Sequence, residues 1–328
     1  MIKRDHRCFA LFSGGLDSML AVAFMQRLGY EVIPIFFQTP FFGPAKAQKA
    51  ANSINTDLMV VDITDDYIEM LKKPRYGFGK NMNPCIDCHG LMFRKASELM
   101  AEHKVDFLIS GEVLGQRPMS QRKDAMNSVA KLSSVKDLLV RPLCQKLIAD
   151  TIPVQEGWVK KEEMLDIQGR GRHRQIAMAK EFGITDYESP GGGCSLTDKN
   201  YSKRLRDLMN HDMLERNFLD FLKVGRHFRL NENLKLVVGR DNSENELMSS
   251  LTTDEIVLKT PDKPGPLGVL NSKTIPTEEE IQLAASVMLR YNTKVEGEVE
   301  VHYGNNFELE NRVTAPKMTP QEAEKLSV

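Results

Sequence analysis

No run in this chain approaches the ~20 consecutive apolar residues that a membrane-spanning helix needs, which argues against an integral membrane protein. Behind the opening Met1-Ile2-Lys3-Arg4-Asp5-His6 there is no long apolar core, so a secretory leader is not expected. Cysteine is scarce. Five residues in 328 do not build a disulfide scaffold, and a reducing cytoplasm is the expected compartment. A surplus of charge of either sign is also missing, because the formal net charge is −1. That excludes indiscriminate binding to nucleic acid but leaves room for local basic patches. Internal repeats and low-complexity tracts are absent as well. What is present is an ordinary globular composition, 41% hydrophobic and 27% charged, in a chain long enough for two domains.

Residues 7–111 alternate apolar runs with amphipathic ones. Strands are predicted over Arg7 to Phe12, Glu31 to Phe37, Leu58 to Ile63 and Asp106 to Ser110. Helices are predicted from Met19 to Leu28, Pro44 to Ile54 and about Gly90 to His103. Strands spaced by helices imply an α/β fold, a parallel sheet with helices on both faces. Ligands then bind past the carboxyl ends of the strands, which puts Ser13, Phe37 and Gly111 on one rim. The segment 141–200 is less regular, and a helical stretch is predicted from Tyr201 to Leu222. Beyond a boundary near Gly225 the pattern becomes a smaller α+β domain. Its predicted strands are Leu234 to Val238, Glu255 to Lys259 and Glu298 to Tyr303, and its helices Ser243 to Ser250 and Thr277 to Tyr291. The expected division is a domain over 1–200, a helical linker over 201–225, a second domain over 226–313, and 314–328 as a tail or terminal helix.

Residues 13–18 read Ser-Gly-Gly-Leu-Asp-Ser, between the first strand and the first helix. A glycine-bearing turn into a helix N-terminus offers backbone N–H groups and the helix dipole to an anion. Ser13 and Ser18 add hydroxyl donors, and Gly14 and Gly15 let a ligand approach the backbone closely. Neither the Gly-Lys-Ser/Thr ending of a Walker loop nor Gly-x-Gly-x-x-Gly is present. Without a lysine the turn is poorly built to pass on a γ-phosphate. Asp17 would repel phosphate unless a cation such as Mg²⁺ lay between them. A tight turn with a serine cap would use the same residues. The hexapeptide matches S-G-G-x-D-S and so resembles the PP-loop of the ATP pyrophosphatases. That resemblance implies ATP cleaved between its α- and β-phosphates and AMP placed on a substrate oxygen. Ser13, Gly14, Gly15, Asp17 and Ser18 would then hold Mg-ATP.

Cys85 and Cys88 stand in Asn-Pro-Cys-Ile-Asp-Cys-His, just before the predicted helix at Gly90, and Cys194 ends the run Gly191-Gly192-Gly193. Cys8 and Cys144 are isolated and read as core thiols. The pair admits a redox couple, or structural zinc with His89 as a further ligand. Together the three cysteines admit a [4Fe–4S] cluster with one open iron, or a persulfide on one cysteine resolved by another. A helix N-terminus beside the pair is expected to favour the thiolate. Unremarkable loop thiols are the remaining reading. The order PP-loop, then Asn83-Pro84 before Cys88, then Cys194 after glycine, resembles the tRNA thiouridylases over roughly residues 7–210. Where the best-known bacterial 2-thiouridylases carry an aspartate, this chain has Cys85. That departure moves the resemblance toward the three-cysteine, cluster-dependent tRNA thiolation enzymes. It implies an adenine nucleotide alpha-hydrolase-like, Rossmann-like fold and a tRNA substrate. It also implies Asp17, Cys88 and Cys194 as catalytic residues, with Cys85, Cys88 and Cys194 as cluster ligands. A cysteine desulfurase, a carrier or sulfide would supply the sulfur. A homodimer is one possible assembly.

Ser110-Gly111-Glu112 ends the fourth strand, and Gly111 there would let a nucleotide approach. In thiouridylases the equivalent strand end borders ATP, which implies Gly111, Gln116 and Phe37 as its neighbours. Arg170, Arg172 and Arg174 form the densest basic cluster, and Lys203 and Arg204 follow Cys194. Both runs suit an RNA backbone, or a solvated helix start. Val238-Gly239-Arg240-Asp241 and Asp262-Lys263-Pro264-Gly265 resemble motifs of the NFACT-type RNA-binding domain. Arg240 and Lys263 are the RNA contacts this implies. Two other readings keep the loop but change the chemistry. One is adenylation for a nitrogen nucleophile with structural zinc, and the other a non-catalytic nucleotide- and RNA-binding protein.

Overall fold

The computed structural model describes residues 4–187, 193–261 and 263–328. Gly191 and Gly192 of the glycine run, and Asp262 of the Asp-Lys-Pro-Gly motif, lie outside the described residues. The chain divides into two compact units, Met1–Ser195 and Leu196–Val328. Among the described residues no helix is long and apolar enough to cross a membrane.

In the first unit β1 (Arg7–Leu11), β2 (Glu31–Gln38), β3 (Met59–Asp62), β4 (Phe107–Ser110) and β5 (Leu139–Val140) form one parallel sheet in the order β3-β2-β1-β4-β5. The central strands carry apolar residues on both faces, as strands covered on both sides must. Their register sets Phe9 opposite Ile33 of β2 and Leu108 of β4. The helices are α1 (Leu16–Arg27), α2 (Ala45–Ser53), α3 (Thr64–Lys72), α4 (Cys85–Leu99), α5 (Lys123–Leu132), α6 (Ile152–Gln155) and α7 (His173–Phe182). On one face Cys8, Ala10, Phe107 and Ile109 share a core with Met19 and Leu20 of α1, Ala47 and Ala51 of α2, and Ala179 of α7. On the other, Phe9 meets His103, just beyond α4, with ring centroids 5.5 Å apart. This is the expected α/β class. Strand order reverses between β1 and β4, so their carboxyl ends open the crevice in which such sheets take ligands.

Two elements differ from expectation in ways that matter for the site. Helix α4 begins at Cys85, not near Gly90, so both cysteines belong to its first turn. Pro84 occupies the position before it, and the buried Asp87 carboxylate accepts the backbone N–H groups of Arg75 (2.7 Å) and Tyr76 (3.0 Å). Helix α3 was not anticipated, and it brings Tyr67 into the core.

In the second unit α8 (Lys199–Asn210) precedes an antiparallel sheet. Its strands are β6 (Arg226–Asn231), β7 (Leu234–Val238), β8 (Ile256–Lys259), β9 (Gly268–Ser272), β10 (Glu298–Asn305) and β11 (Asn311–Pro316). Their order is β11-β10-β8-β9-β7-β6. The helices are α9 (Asn242–Leu251), α10 (Glu278–Leu289) and α11 (Pro320–Leu326). The single helix predicted over Tyr201 to Leu222 stops at Asn210, because Asp212 takes a left-handed φ of +48°. The segment continues as two short 3-10 turns that bury Phe218 and Phe221. Leu236, Val238, Leu258 and Leu270 of the sheet form a core with Ile281, Ala284, Ala285 and Met288 of α10. Residues 314–328 complete β11 and form α11, and Phe228 bridges to Ser327.

One buried ion cluster ties α8 to this sheet. Asp207 accepts from Arg229 Nη2 (2.6 Å) and from Lys235 Nζ, and the Lys235 side chain is fully buried. Burial pushes Lys235 down to about 8, against the pull of Asp207. Removing one partner of such a group strands a buried charge. Asp207→Ala should therefore cost about 3–5 kcal/mol in urea unfolding. A loss below about 1 kcal/mol would show that water resolvates Lys235.

Candidate active site

The turn after β1 is shaped by two glycines. Gly14 takes a left-handed φ of +76°, and a Cβ there would lie 2.7 Å from Ala47 Cα at the start of α2. Only glycine meets both demands. Gly15 precedes α1 in extended conformation, and no side chain caps the helix. The N-terminal N–H groups of α1 are thereby left to a ligand. Ser18 Oγ donates to the Gly15 carbonyl (2.8 Å) and lies 3.3 Å from Ser13 Oγ.

The end of β4 packs directly under this turn. A Cβ on Gly111 would lie 2.5 Å from the Asp17 carbonyl group and 2.6 Å from Ser18 N. The space that Gly111 leaves is thus taken by the first turn of α1. Phe37 lies on the neighbouring strand with its side chain in the interior, 3% exposed.

Asp17 is the electrostatic centre of the loop. Its Oδ2 accepts from Arg172 Nη2 (2.9 Å) and from Gln116 Nε2 (2.5 Å). Gln116 Oε1 in turn accepts from Gln175 Nε2 (2.9 Å). Asp17 Oδ1 and Gln175 Oε1 are buried without a hydrogen-bond partner. Arg172 was expected in an exposed basic stripe. The structure instead seats it beside Asp17, so the residue that precedes α7 supplies the cation that the loop's own sequence lacks.

The cysteines converge from two directions. Cys85 and Cys88 come from the first turn of α4. Cys194 is held near the turn after β2, because the next residue, Ser195, donates its N–H to the Phe41 carbonyl (3.2 Å). Burial first, then Cys194, Cys85 and Asp87, raises the Cys88 thiol well above its ordinary range, against a hydrogen bond with Tyr67. The helix N-terminus was expected to favour a thiolate, and at Cys88 desolvation outweighs it. Tyr67 is fully buried, with ring centroids 5.2 Å from Phe41 and 5.7 Å from Phe42. Its phenol is raised by burial and then by Cys88 and Cys194. Asn83 Nδ2 donates to Cys85 Sγ (3.2 Å). The three thiols are donors of the kind a thiolate-held cluster takes, and Cys194 and Cys85 are near enough to act on Cys88. Among the described residues, however, no three of His, Cys, Asp and Glu stand as metal ligands. Cys8 and Cys144 are fully buried in the core.

A buried carboxylate joins the two halves of the site. Glu112, just past Gly111, holds Arg141 Nε at 2.8 Å and His89 Nδ1 at 2.9 Å. His89, a candidate zinc ligand by sequence, is thus committed to Glu112. Burial alone would raise Glu112, but Arg141 and His89 outweigh it and hold the carboxyl at about 2. Arg141 Nη2 is buried without a partner.

The remaining basic candidates divide by exposure. Arg170, Lys203 and Lys263 are exposed. Arg174 pairs with Asp166 (2.7 Å) at the surface. Arg204 donates to the carbonyls of Leu222 (2.8 Å) and Gly225 (3.1 Å), which is a bracing role within its unit. Arg240 pairs with Glu244 (3.1 Å) and remains exposed. Behind Arg240, Asn245 donates to the Gly265 carbonyl (3.2 Å) and accepts the Leu267 N–H (3.0 Å), so the two motifs of this domain lock together. A Cβ on Gly239 would collide with that Asn245 side chain. Tyr67, Arg141 and Gln175 were not singled out by sequence, and no spacing rule marks them.

Residues 4–148 match the family model described as Thiamine biosynthesis protein (ThiI). Residues 225–326 match that of the NFACT protein RNA binding domain. One region of the chain is therefore similar to the ThiI model and another to the NFACT RNA-binding-domain model. A protein named "Probable tRNA sulfurtransferase" from Thermococcus kodakarensis is 30% identical over 165 residues, covering 48% of this chain and 39% of that one. A tRNA-specific 2-thiouridylase MnmA from Karelsulcia muelleri is 27% identical over 184 residues, covering 52% and 47%. The crystal structure of a 4-thiouridine synthetase–RNA complex with bound ATP aligns with a TM-score of 0.41 at 17% identity, over 66% of this chain and 52% of that one. The chain spans less than half the length of the two relatives compared by sequence.

A carboxyl lowered by folding stabilises the native state above its unfolded value and loses that stability as pH falls. For Glu112 the window runs from the ordinary 4.5 down to about 2. Between pH 6 and pH 2 the native protein should lose on the order of 3 kcal/mol that Glu112→Gln does not lose, read by urea titration. Equal acid sensitivity in both would remove the role assigned to this charge.

Proposed function

We propose that this protein is an ATP-dependent tRNA thiolase, which adenylates a uridine carbonyl oxygen and replaces it with sulfur. The observation that carries this reading is the placing of a PP-loop and three converging thiols within one α/β unit. ATP lies on the Ser13–Ser18 turn, with its phosphates on the N-terminal N–H groups of α1 and the two serine hydroxyls. The unpartnered, buried Asp17 Oδ1 fits a cation, and Mg²⁺ there offsets phosphate charge. Gly14 and Gly15 shape the turn, Gln116 holds Asp17, and Gly111 packs beneath, while Phe37 is buried on β2.

The uridine oxygen attacks the α-phosphorus, pyrophosphate leaves, and the base carries AMP on that oxygen. Sulfur then adds at the same carbon and AMP departs with the oxygen, so neither step transfers a γ-phosphate. Loop amides, with Arg172 beside them, stabilise the charge that develops on the phosphate. Cys88 and Cys194 are the residues at which sulfur arrives. Cys85, Cys88 and Cys194 would hold a [4Fe–4S] cluster, whose open iron supplies a site for sulfide. In the persulfide form of the reading, the outer sulfur on one cysteine attacks the base carbon, the other cysteine thiol then cleaves the S–S bond, and the Cys88–Cys194 disulfide so formed is reopened by a thiol reductant. A cysteine desulfurase or a carrier would supply that persulfide sulfur, and free sulfide would suit only the cluster form, in a reducing cytoplasm. Exposed Arg170, Arg174, Lys203, Arg240 and Lys263 supply charge for the RNA backbone.

Protein purified without air should be brown, with a thiolate-to-iron absorption band. A colourless protein holding one tight zinc would remove the cluster. Cys194→Ala should lower thiolation below detection while ATP binding stays within about twofold. Mass spectrometry of tRNA from a strain lacking this protein should show loss of one thiouridine. An unchanged thiouridine content would overturn the assignment.

A further inference from the structure

Between Glu69 and Asp87 the chain has no acidic residue but carries Lys72, Lys73, Arg75 and Lys80. Lys72 is committed to Glu69 at 2.6 Å, whereas Lys73, Arg75 and Lys80 are exposed. The same loop exposes two aromatic rings, Tyr76 at 42% and Phe78 at 38%. Exposed aromatics among cations on a loop usually mean a mobile surface segment, but this one is fixed from beneath. Both oxygens of Asp87, itself 5% exposed, hold the backbone at Arg75 and Tyr76. Gly77 turns with φ +70°. Gly79 N–H donates to the Asn83 carbonyl (3.0 Å), and a Cβ on Gly79 would strike the Asn83 side chain at 2.6 Å. That same Asn83 touches Cys85 Sγ. The loop is thus pinned by a buried carboxylate on one side and by the neighbour of a site cysteine on the other.

We propose that the loop Lys73–Asn83 is a stacking platform for an unpaired RNA base beside the cysteines. The proposal rests on the thiolation reading. Flat apolar rings accept a base of any sequence, and cations spaced among them follow the phosphates. A uridine that is to receive sulfur must leave its stack, and stacking on Tyr76 or Phe78 offsets that cost. Lys73, Arg75 and Lys80 contact the flanking phosphates. The rings lie outside the nucleotide turn, so their loss leaves ATP binding intact.

The test uses the whole chain and a mixture of tRNA transcripts made with 5-iodouridine in place of uridine. After irradiation, mass spectrometry should place crosslinks on Tyr76 or Phe78. The double variant Tyr76→Leu/Phe78→Leu keeps apolar bulk without rings. It should cut crosslinking to this loop and thiolation by about tenfold or more, with ATP binding and thermal unfolding unchanged. Lys73→Gln, Arg75→Gln and Lys80→Gln together should reduce the slope of log affinity against log salt by about one unit for each phosphate that is no longer neutralised. Crosslinks confined to residues 226–326, or full thiolation by the double variant, would overturn the platform and leave the thiolation reading standing. Failure of the native chain to bind or thiolate any transcript would overturn both.

Discussion

The organisation of the first unit depends on one buried charge, the carboxylate of Glu112. It sits one residue past Gly111, whose missing side chain seats the first turn of α1. Its two oxygens hold Arg141, beyond β5, and His89, next to Cys88 on α4. A carboxylate in that position would be costly alone, and its two partners make it favourable. Because Glu112 and its two partners come from three separated segments, satisfying the charge fixes the ends of β4 and β5 and the cysteine helix relative to one another. Alignment of this kind is the main service a protein offers a two-step reaction on one substrate atom.

Around that anchor the site divides its charge by position. The loop side carries Asp17 with Arg172 and Gln116, a polar and nearly neutral network. The cysteine side carries the rings of Phe41 and Phe42 against Tyr67, which is hydrogen-bonded to Cys88. The first environment would suit the phosphate and counter-ion of the proposed reaction, and the second sets aromatic surface beside the thiols that would carry its sulfur. Both lie past the carboxyl ends of the parallel strands.

Much of this was legible in the sequence where the controlling forces are local. The Ser13–Ser18 turn reads directly, since the left-handed φ of Gly14 is a demand local to the hexapeptide. β1, β2 and β4 read as near-continuous apolar runs because both faces of the sheet are covered. β11 did not, because Asn311-Arg312-Val313-Thr314-Ala315-Pro316 buries only Val313 and Ala315. The start of α4 was missed because Asn-Pro-Cys reads as a loop, and its first turn depends on a carboxylate spent on residues 75 and 76. Arg172 looked like one more surface arginine, because its partner lies 155 residues earlier. Tyr67, Glu112 and Arg141 carry no motif, and their roles exist only once the chain has folded.

Asp17 Oδ1, Gln175 Oε1 and Arg141 Nη2 share one property: each is buried and lacks a partner. Each such atom lowers native stability by roughly 1–3 kcal/mol. Two of them, Asp17 Oδ1 and Gln175 Oε1, belong to the network around the Ser13–Ser18 turn, so the resting fold there is less stable than its own atoms allow. Substitutions that silenced these groups with apolar side chains would raise thermal resistance and erase what a ligand has to gain. The protein thus keeps unmet demand where binding can satisfy it, and its tolerance to heat should rise most when the site is filled.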